Sequence, residues 1–352
     1  MSARQQGGFV LLAVLAAIVV LTLIATAIGT RAERAVEDQR RQEARLDAEL
    51  AIHSTEATVL YLAASQRMTF GGLTVDEQVV QTEDELAIDD FGYSVNPVGN
   101  EIRLDGRAYR GVRDARFSLQ DERGKVSPAW ADDGVRERFV DLLGGEGERA
   151  GDLLAALLDY QDEDDLKRLN GGERDEYVKA GLEPPPNRPL TTPLELRRVL
   201  GWNELLAGLD DARVIELLTL TRVPGINPNT GGIEPLMAMF AIDSDEAQRI
   251  VGLREESVFL SAFDLARVTD VPIGEEGGLL LMPGESFTLS TWTAGDGTRR
   301  TSQWTLTPVD DGGMPWRSEY GVRLPSAPVD ALRDPLATPP ATIFLDTPVP
   351  AG

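Results

Sequence analysis

No cysteine occurs in the 352 residues, which excludes disulfides, thiolate zinc sites and cysteine nucleophiles. The only histidine is His53. A Ser-His-Asp triad or a multi-histidine metal site cannot readily be built around one imidazole, and His53 reads as a surface or packing residue of a helix. Basic residues are scarce: 34 Lys and Arg stand against 58 Asp and Glu, a formal net charge of -24. A polyanion repels phosphate backbones, so nucleic acid is not expected as a partner. Phosphate-binding loops, GxSxG and HExxH are missing. The glycine cluster Gly144-Gly145-Glu146-Gly147 carries acid where a phosphate would sit. The remaining route to catalysis is a carboxylate pair of the glycosidase kind. The carboxylates here are dense and lie in a loop, which favours cation binding or a solvated surface, so no enzyme is expected.

What is present in quantity begins at the N-terminus. Residues 9–30, FVLLAVLAAIVVLTLIATAIGT, carry no charge. As a helix they span roughly 33 Å, enough for a hydrocarbon core. Arg4 is the only charged side chain before them. Secretory signal peptides place their small residues after the apolar run, whereas here Gly7 and Gly8 precede it. That order suits a cut on the cytoplasmic side that leaves the apolar helix on the mature chain. A plain single-pass anchor is the alternative. From Ala32 to about Gln66 short apolar and charged residues alternate without proline or glycine, predicting an amphipathic continuation of the same helix.

Gly71-Gly72 ends that pattern. Short alternating runs follow up to Trp130: Tyr93–Val95, Glu101–Leu104 and Ala115–Leu119, punctuated by Asn96-Pro97, Gly99-Asn100 and Asp105-Gly106. From about Val135 to Val271 the period turns helical, with helices expected over Val135–Leu143, Arg149–Leu158, Thr192–Leu200, Asp210–Leu217, Ile233–Met239, Ser244–Arg254 and Ser261–Arg267. Strands return at Ser286–Trp292, Arg300–Thr307 and Gly321–Leu324, the first two joined by a turn at Asp296-Gly297. Residues 326–352 form a Pro-rich tail, read as mostly disordered. Helices between two strand groups predict an α+β chain in which a helical domain is inserted into one small antiparallel sheet.

Gly8-Phe9-Val10-Leu11-Leu12 resembles the type IV prepilin cleavage site. The resemblance implies cleavage after Gly8 and methylation of the new amine on Phe9. Most pilins carry glutamate at the fifth mature position; this chain has Ala13. Within an apolar bundle that carboxylate is thought to neutralise a neighbour's terminal ammonium, so its absence suits a subunit with no neighbour above it. Two further blocks carry a closer resemblance. One runs from Leu157-Leu158-Asp159-Tyr160-Gln161-Asp162-Glu163-Asp164 through Gly171-Gly172-Glu173-Arg174-Asp175-Glu176-Tyr177 to Asn187-Arg188-Pro189-Leu190 and Leu194–Val199. The other is Ile226-Asn227-Pro228-Asn229-Thr230 with the helix pair to Val271. Together with the glutamate-free helix they resemble general secretion pathway protein K, the large minor pseudopilin of type II secretion systems.

The resemblance covers residues 1 to about 325 and implies a pilin fold: a long N-terminal helix on a small antiparallel sheet, with a large all-α insertion. Its divisions are a leader over 1–8, a transmembrane and assembly helix over 9–30, and amphipathic helix with first strands over 31–134. The helical domain follows over 135–275, with a helix-hairpin-helix-like part at 226–271, and the remaining strands occupy 276–325. The resemblance also implies a place at the tip of a periplasmic pseudopilus, single-pass in the inner membrane with the N-terminus cytoplasmic. The partners implied are other minor pseudopilins, the major pseudopilin, the prepilin peptidase and the inner-membrane secretion platform, with exported proteins as further candidates. Asp159, Asp162, Asp164, Glu173 and Asp175 bracket Gly171-Gly172, and clustered carboxylates on a turn-rich segment suit calcium. The spacing is not an EF-hand, and a solvated loop or a cap on the helix near Glu173 is the competing reading. The family is associated with calcium. The alternative function is a membrane-anchored helix-hairpin-helix DNA-uptake or type IV pilus subunit. Against it, residues 226–271 hold eight acidic residues and three arginines, and their hairpin Phe240–Asp245 has two aspartates and no glycine.

Overall fold

The structure, a computed structural model, describes residues 7–75, 94–223, 225–269, 279–294, 297–307 and 313–325. Residues 1–6 of the leader, Tyr93, Asp270, Val271, Asp296 and the tail 326–352 lie outside them.

Helix α1 runs over Gly7–Ser65, 59 residues. Its length follows from composition: no proline interrupts it, and Gly29 is the only glycine beyond its first turn. All side chains from Val10 to Asp47 are exposed. The apolar part has a mean hydropathy of 2.9 and is long enough to cross a membrane. Thr22 and Thr26 return their hydroxyls to the carbonyls of Ile18 and Thr22, each at 2.8 Å, so neither hydroxyl is left bare in an apolar medium. The residues up to Ala51 form one unit and those from Ile52 onward another.

In the second unit the last turns of α1 bury Val59, Leu60, Leu62 and Ala63 against a sheet core of Phe117, Leu119, Phe287 and Leu289. Strands β1, Met68–Thr69, and β2, Gly72–Leu73, form a tight hairpin after the helix. Gly72 is required there: its φ is +133°, and a Cβ would stand 2.4 Å from the Ile102 carbonyl.

The main sheet is antiparallel throughout, in the order β3-β4-β5-β6-β7, with β3 Asp105–Arg110, β4 Ala115–Asp121, β5 Ser286–Thr293, β6 Thr298–Leu306 and β7 Trp316–Pro325. Strand β3 departs from expectation. Asp105-Gly106, read as a turn, opens the strand, and a bulge between Asp105 and Ala108 absorbs the glycine at φ +83°. The expected strand at Glu101–Leu104 reduces to a single bridge between Ile102 and Leu73. Strands β4 and β5 are hydrogen-bonded neighbours, yet their connection carries all the helices after α1 among the described residues. The α+β fold with an inserted helical region is therefore observed.

That region comprises α2 Asp133–Leu142, α3 Ala150–Gln161, α4 Arg174–Ala180, α5 Trp202–Leu205, α6 Asp211–Leu217, α7 Ile233–Phe240, α8 Ser244–Glu256 and α9 Ala262–Val268. Its own core holds Phe139, Leu157, Tyr177, Trp202, Leu236 and Ile250 among others. Cap chemistry sets several starts: Asp210 accepts from Arg213 N–H at 2.7 Å and Ser261 from Asp264 N–H at 3.2 Å. The helix expected at Thr192–Leu200 is a 3-10 segment, Pro193–Arg198, closed by Val199 N–H on the Leu196 carbonyl at 3.0 Å. The single turn α5 has no amphipathic period to read, because its Trp202 is anchored by tertiary contact, donating from Nε1 to the Leu153 carbonyl at 2.9 Å.

Candidate functional site

Two constellations singled out in the sequence meet different ends. The acidic loop follows α3. Asp159, on the last turn, is fully buried, and Gly171 packs over it so closely that a Cβ there would lie 2.0 Å from Asp159 Oδ2. Arg168 answers the charge: its Nη1 donates to Asp159 Oδ1 at 2.7 Å, its backbone N–H to Asp159 Oδ2 at 3.1 Å, and its Nη1 also to Asp162. Glu173, the N-cap residue of α4, is buried too and forms a capping box with Glu176, whose Oε2 accepts from Glu173 N–H at 3.2 Å. Burial, then the neighbouring Asp159 and Asp162 charges, push the Glu173 carboxyl up to about 7. Asp164 closes a local turn, accepting from Leu166 N–H at 2.8 Å. Asp175 is exposed in the first turn of α4, where the helix dipole favours an acid. Among the described residues no group of three or more acidic or histidine side chains is gathered closely enough to hold a metal ion. The structure draws Asp159 and Asp162 together around Arg168, and Asp164 and Asp175 each serve a local role.

The Asn-Pro-Asn-Thr segment is a joint between the helical region and the sheet. Its centre is Asp121, the last residue of β4, fully buried. Asp121 Oδ1 accepts from Gly284 N–H at 3.0 Å and Arg123 N–H at 3.1 Å. Its Oδ2 accepts from Thr230 Oγ1 at 2.9 Å and Asn227 Nδ2 at 3.3 Å. Burial pushes the carboxyl up to about 6, and the four donors oppose that shift and favour the ionised form at neutral pH. Asn229 ties the other side: its Nδ2 donates to the carbonyls of Phe259 at 2.9 Å and Leu281 at 3.0 Å, and its Oδ1 accepts from Phe259 N–H at 2.9 Å. Buried Arg254 of α8 donates to the carbonyls of Pro228 at 2.9 Å and Gly231 at 2.6 Å. One carboxylate thus fastens the start of the insertion, its middle and its return to β5. Sequence reading missed Asp121. The signal was an acid in the inward phase of Ala115, Phe117 and Leu119, where a fourth apolar residue belongs.

The α7–α8 hairpin bears on nucleic-acid binding. Ala241 adopts φ +54°, the left-handed turn position where a glycine would be unstrained. Asp243 accepts from Glu246 N–H at 2.9 Å, so a carboxylate already occupies the α8 N-terminus that a phosphate would need. His53 is exposed on α1, with Nδ1 at 3.4 Å from Glu56 and Nε2 at 3.2 Å from Arg300 Nη1. Ala13 lies on the exposed apolar part of α1, and Gly8 and Phe9 belong to its first turns.

Comparison with known proteins places these features. A search of curated proteins finds no match. A chain from the crystal structure of the GspK-GspI-GspJ complex of the enterotoxigenic Escherichia coli type 2 secretion system is similar at 15% identity and a TM-score of 0.46, over 82% of this chain and 100% of that one. Residues 117–208, from β4 through α5, match the family described as type II secretion system, protein K. That match spans β4 and the first part of the insertion, so this region of the chain is similar to type II secretion system protein K.

Proposed function

We propose that the chain caps the tip of a pseudopilus, anchored in the inner membrane by α1 with the rest in the periplasm, and acts as a structural component rather than as an enzyme. The observation that carries this reading is Ala13. The apolar part of α1 holds no carboxylate at all, so it offers nothing to neutralise the terminal ammonium of a subunit above it. A subunit below can still supply a carboxylate to Phe9. The proposed partners are the smaller minor pseudopilins beside it and the major pseudopilin beneath. The prepilin peptidase and the secretion platform act on it during assembly, and exported proteins are candidate contacts of its outer end.

Processing is the first test. Intact-mass and N-terminal analysis of the membrane-extracted protein should find Phe9 as a methylated N-terminus. Gly8→Leu should leave essentially all of the protein at precursor mass, since the peptidase needs a small residue there. Recovery of an unprocessed wild-type N-terminus at Met1 or Ser2 contradicts the proposal.

Calcium in the acidic loop is part of the same reading. Asp159, Asp162 and Glu173 are the residues that would have to be drawn together around it: the first two share one guanidinium, and as they stand no three acids among the described residues are gathered closely enough to hold an ion. A divalent ion displacing Arg168 would satisfy all three and relieve the repulsion on Glu173. Calcium's flexible shell of six to eight oxygens suits them better than the tighter octahedron of magnesium. The full chain in detergent should therefore melt higher in millimolar calcium than in chelator, by about 2.7 kcal/mol at a hundredfold excess over Kd. The gain should vanish in Asp159→Ala combined with Glu173→Ala. An unchanged melting temperature, with no metal by elemental analysis, rules the ion out.

A further inference from the structure

A sheet face covered by helices is normally apolar. Here the face opposite α1 is not. Its inward-turned residues under the helical region are Ser118 and Gln120 of β4, Thr288 and Ser290 of β5, and Thr301 and Gln303 of β6, the last four all buried. Apolar contact across this interface is concentrated at one side, where Ile215 of α6 meets Tyr320 and Leu324 of β7. Beside that contact lies a cavity of about 250 Å³, walled by the hydroxyl-bearing face, α6 and the start of α7.

The wall chemistry is specific. Every charged group on it for which an ion pair is recorded is neutralised locally: Lys125 by Glu122 at 2.7 Å, Arg299 by Glu216 at 3.0 Å, Asp105 by Arg107 at 2.6 Å, and Arg213 by Glu216 at 3.4 Å and by Glu234. A charged ligand would have to break such a pair. Yet hydrogen-bonding capacity is left over. Lys125 is 1% exposed and gives two of its three protons, to Glu122 and Thr288, each at 2.7 Å. Arg299 Nε is buried and meets no partner among the described residues. Surplus donors on Lys125 and Arg299 beside wall hydroxyls that both give and take a hydrogen bond suit a ligand whose own hydroxyls do the same. Among the described residues no aromatic ring lines the cavity, so no stacking platform for a base is offered. We propose that this chamber between sheet and helical region binds a small, neutral polyhydroxy compound, from glycerol to a monosaccharide in size.

The probes are glycerol and D-ribose, with acetate and inorganic phosphate as charged controls, read by ligand-observed saturation-transfer NMR on the full chain in detergent. Saturable transfer to a neutral probe is expected, with a millimolar Kd. The variant Ser290→Ala with Thr301→Val removes two wall hydroxyls that bond only to each other, at 2.8 Å, so it leaves no new unpaired group. It should weaken binding at least fivefold with an unchanged melting temperature; should it fail to fold, Thr301→Val alone is measured and should weaken binding about twofold or more. No saturable transfer, transfer equal in the variant, or saturation by acetate or phosphate instead would each overturn the proposal. So would a high-resolution crystal soaked in glycerol that shows water alone in the chamber.

Discussion

Asp121→Ala is expected to destabilise the folded chain by about 3–5 kcal/mol, the scale for removing one partner from a buried charged network. Four donors converge on that carboxylate, from Arg123, Asn227, Thr230 and Gly284, and alanine leaves all four facing an apolar void. The effect should be uneven. The sheet core of Phe117, Leu119 and Phe287 packs on α1, so it retains most of its contacts, while the insertion loses the fastening at both its ends. Hydrogen exchange should therefore rise first in residues 226–269 and 279–284 and in the 122–131 segment. Asp121→Asn keeps the shape but turns an amide N–H₂ toward donors, and should fall between wild type and alanine. Chemical denaturation of the full chain in detergent measures the loss, and a change below about 1 kcal/mol means the joint is carried by packing instead.

The second large effect concerns Glu122 and Lys125, both 1% exposed and paired at 2.7 Å. Lys125→Met should cost about 3–5 kcal/mol, because it strands a carboxylate whose Oε2 already lacks a partner. Glu122→Leu with Lys125→Met should recover most of that loss, since two apolar residues of similar volume avoid the desolvation of both charges. The double-mutant cycle reads the coupling directly. A double variant as unstable as the single one would mean that the pair holds the interface by its hydrogen bonds to Thr288, at 2.7 Å from Lys125, rather than by mutual neutralisation.

Local regularity decided how much of this was legible in advance. An uncharged run followed by a proline-free amphipathic stretch has one stable form, a long helix, and α1 is that helix. Strands with strict alternation, such as Ala115–Asp121 and Ser286–Thr293, and capped helices such as Asp211–Leu217 and Ala262–Val268, carry their signals within a few residues. The acidic loop was visible as a cluster of charges, but spacing says nothing about which carboxylate meets which cation. Burial placed Arg168 between Asp159 and Asp162 and set Glu173 as the cap of α4.

By itself, then, the sequence determined the membrane-length helix, the order of strands and helices, and the absence of cysteine and of all histidine but one. These follow from backbone period and composition, which act over a few residues at a time. Only the tertiary structure decided that Asp121 fastens Asn227, Thr230 and Gly284, partners 106, 109 and 163 residues away in the chain. It alone set a hydroxyl-bearing sheet face against the insertion and made a strand of the apparent turn at Asp105-Gly106. The reason is physical: a buried polar group takes whatever partner folding brings within hydrogen-bond reach, and no short-range pattern encodes a partner that the fold supplies from the far side of an inserted domain.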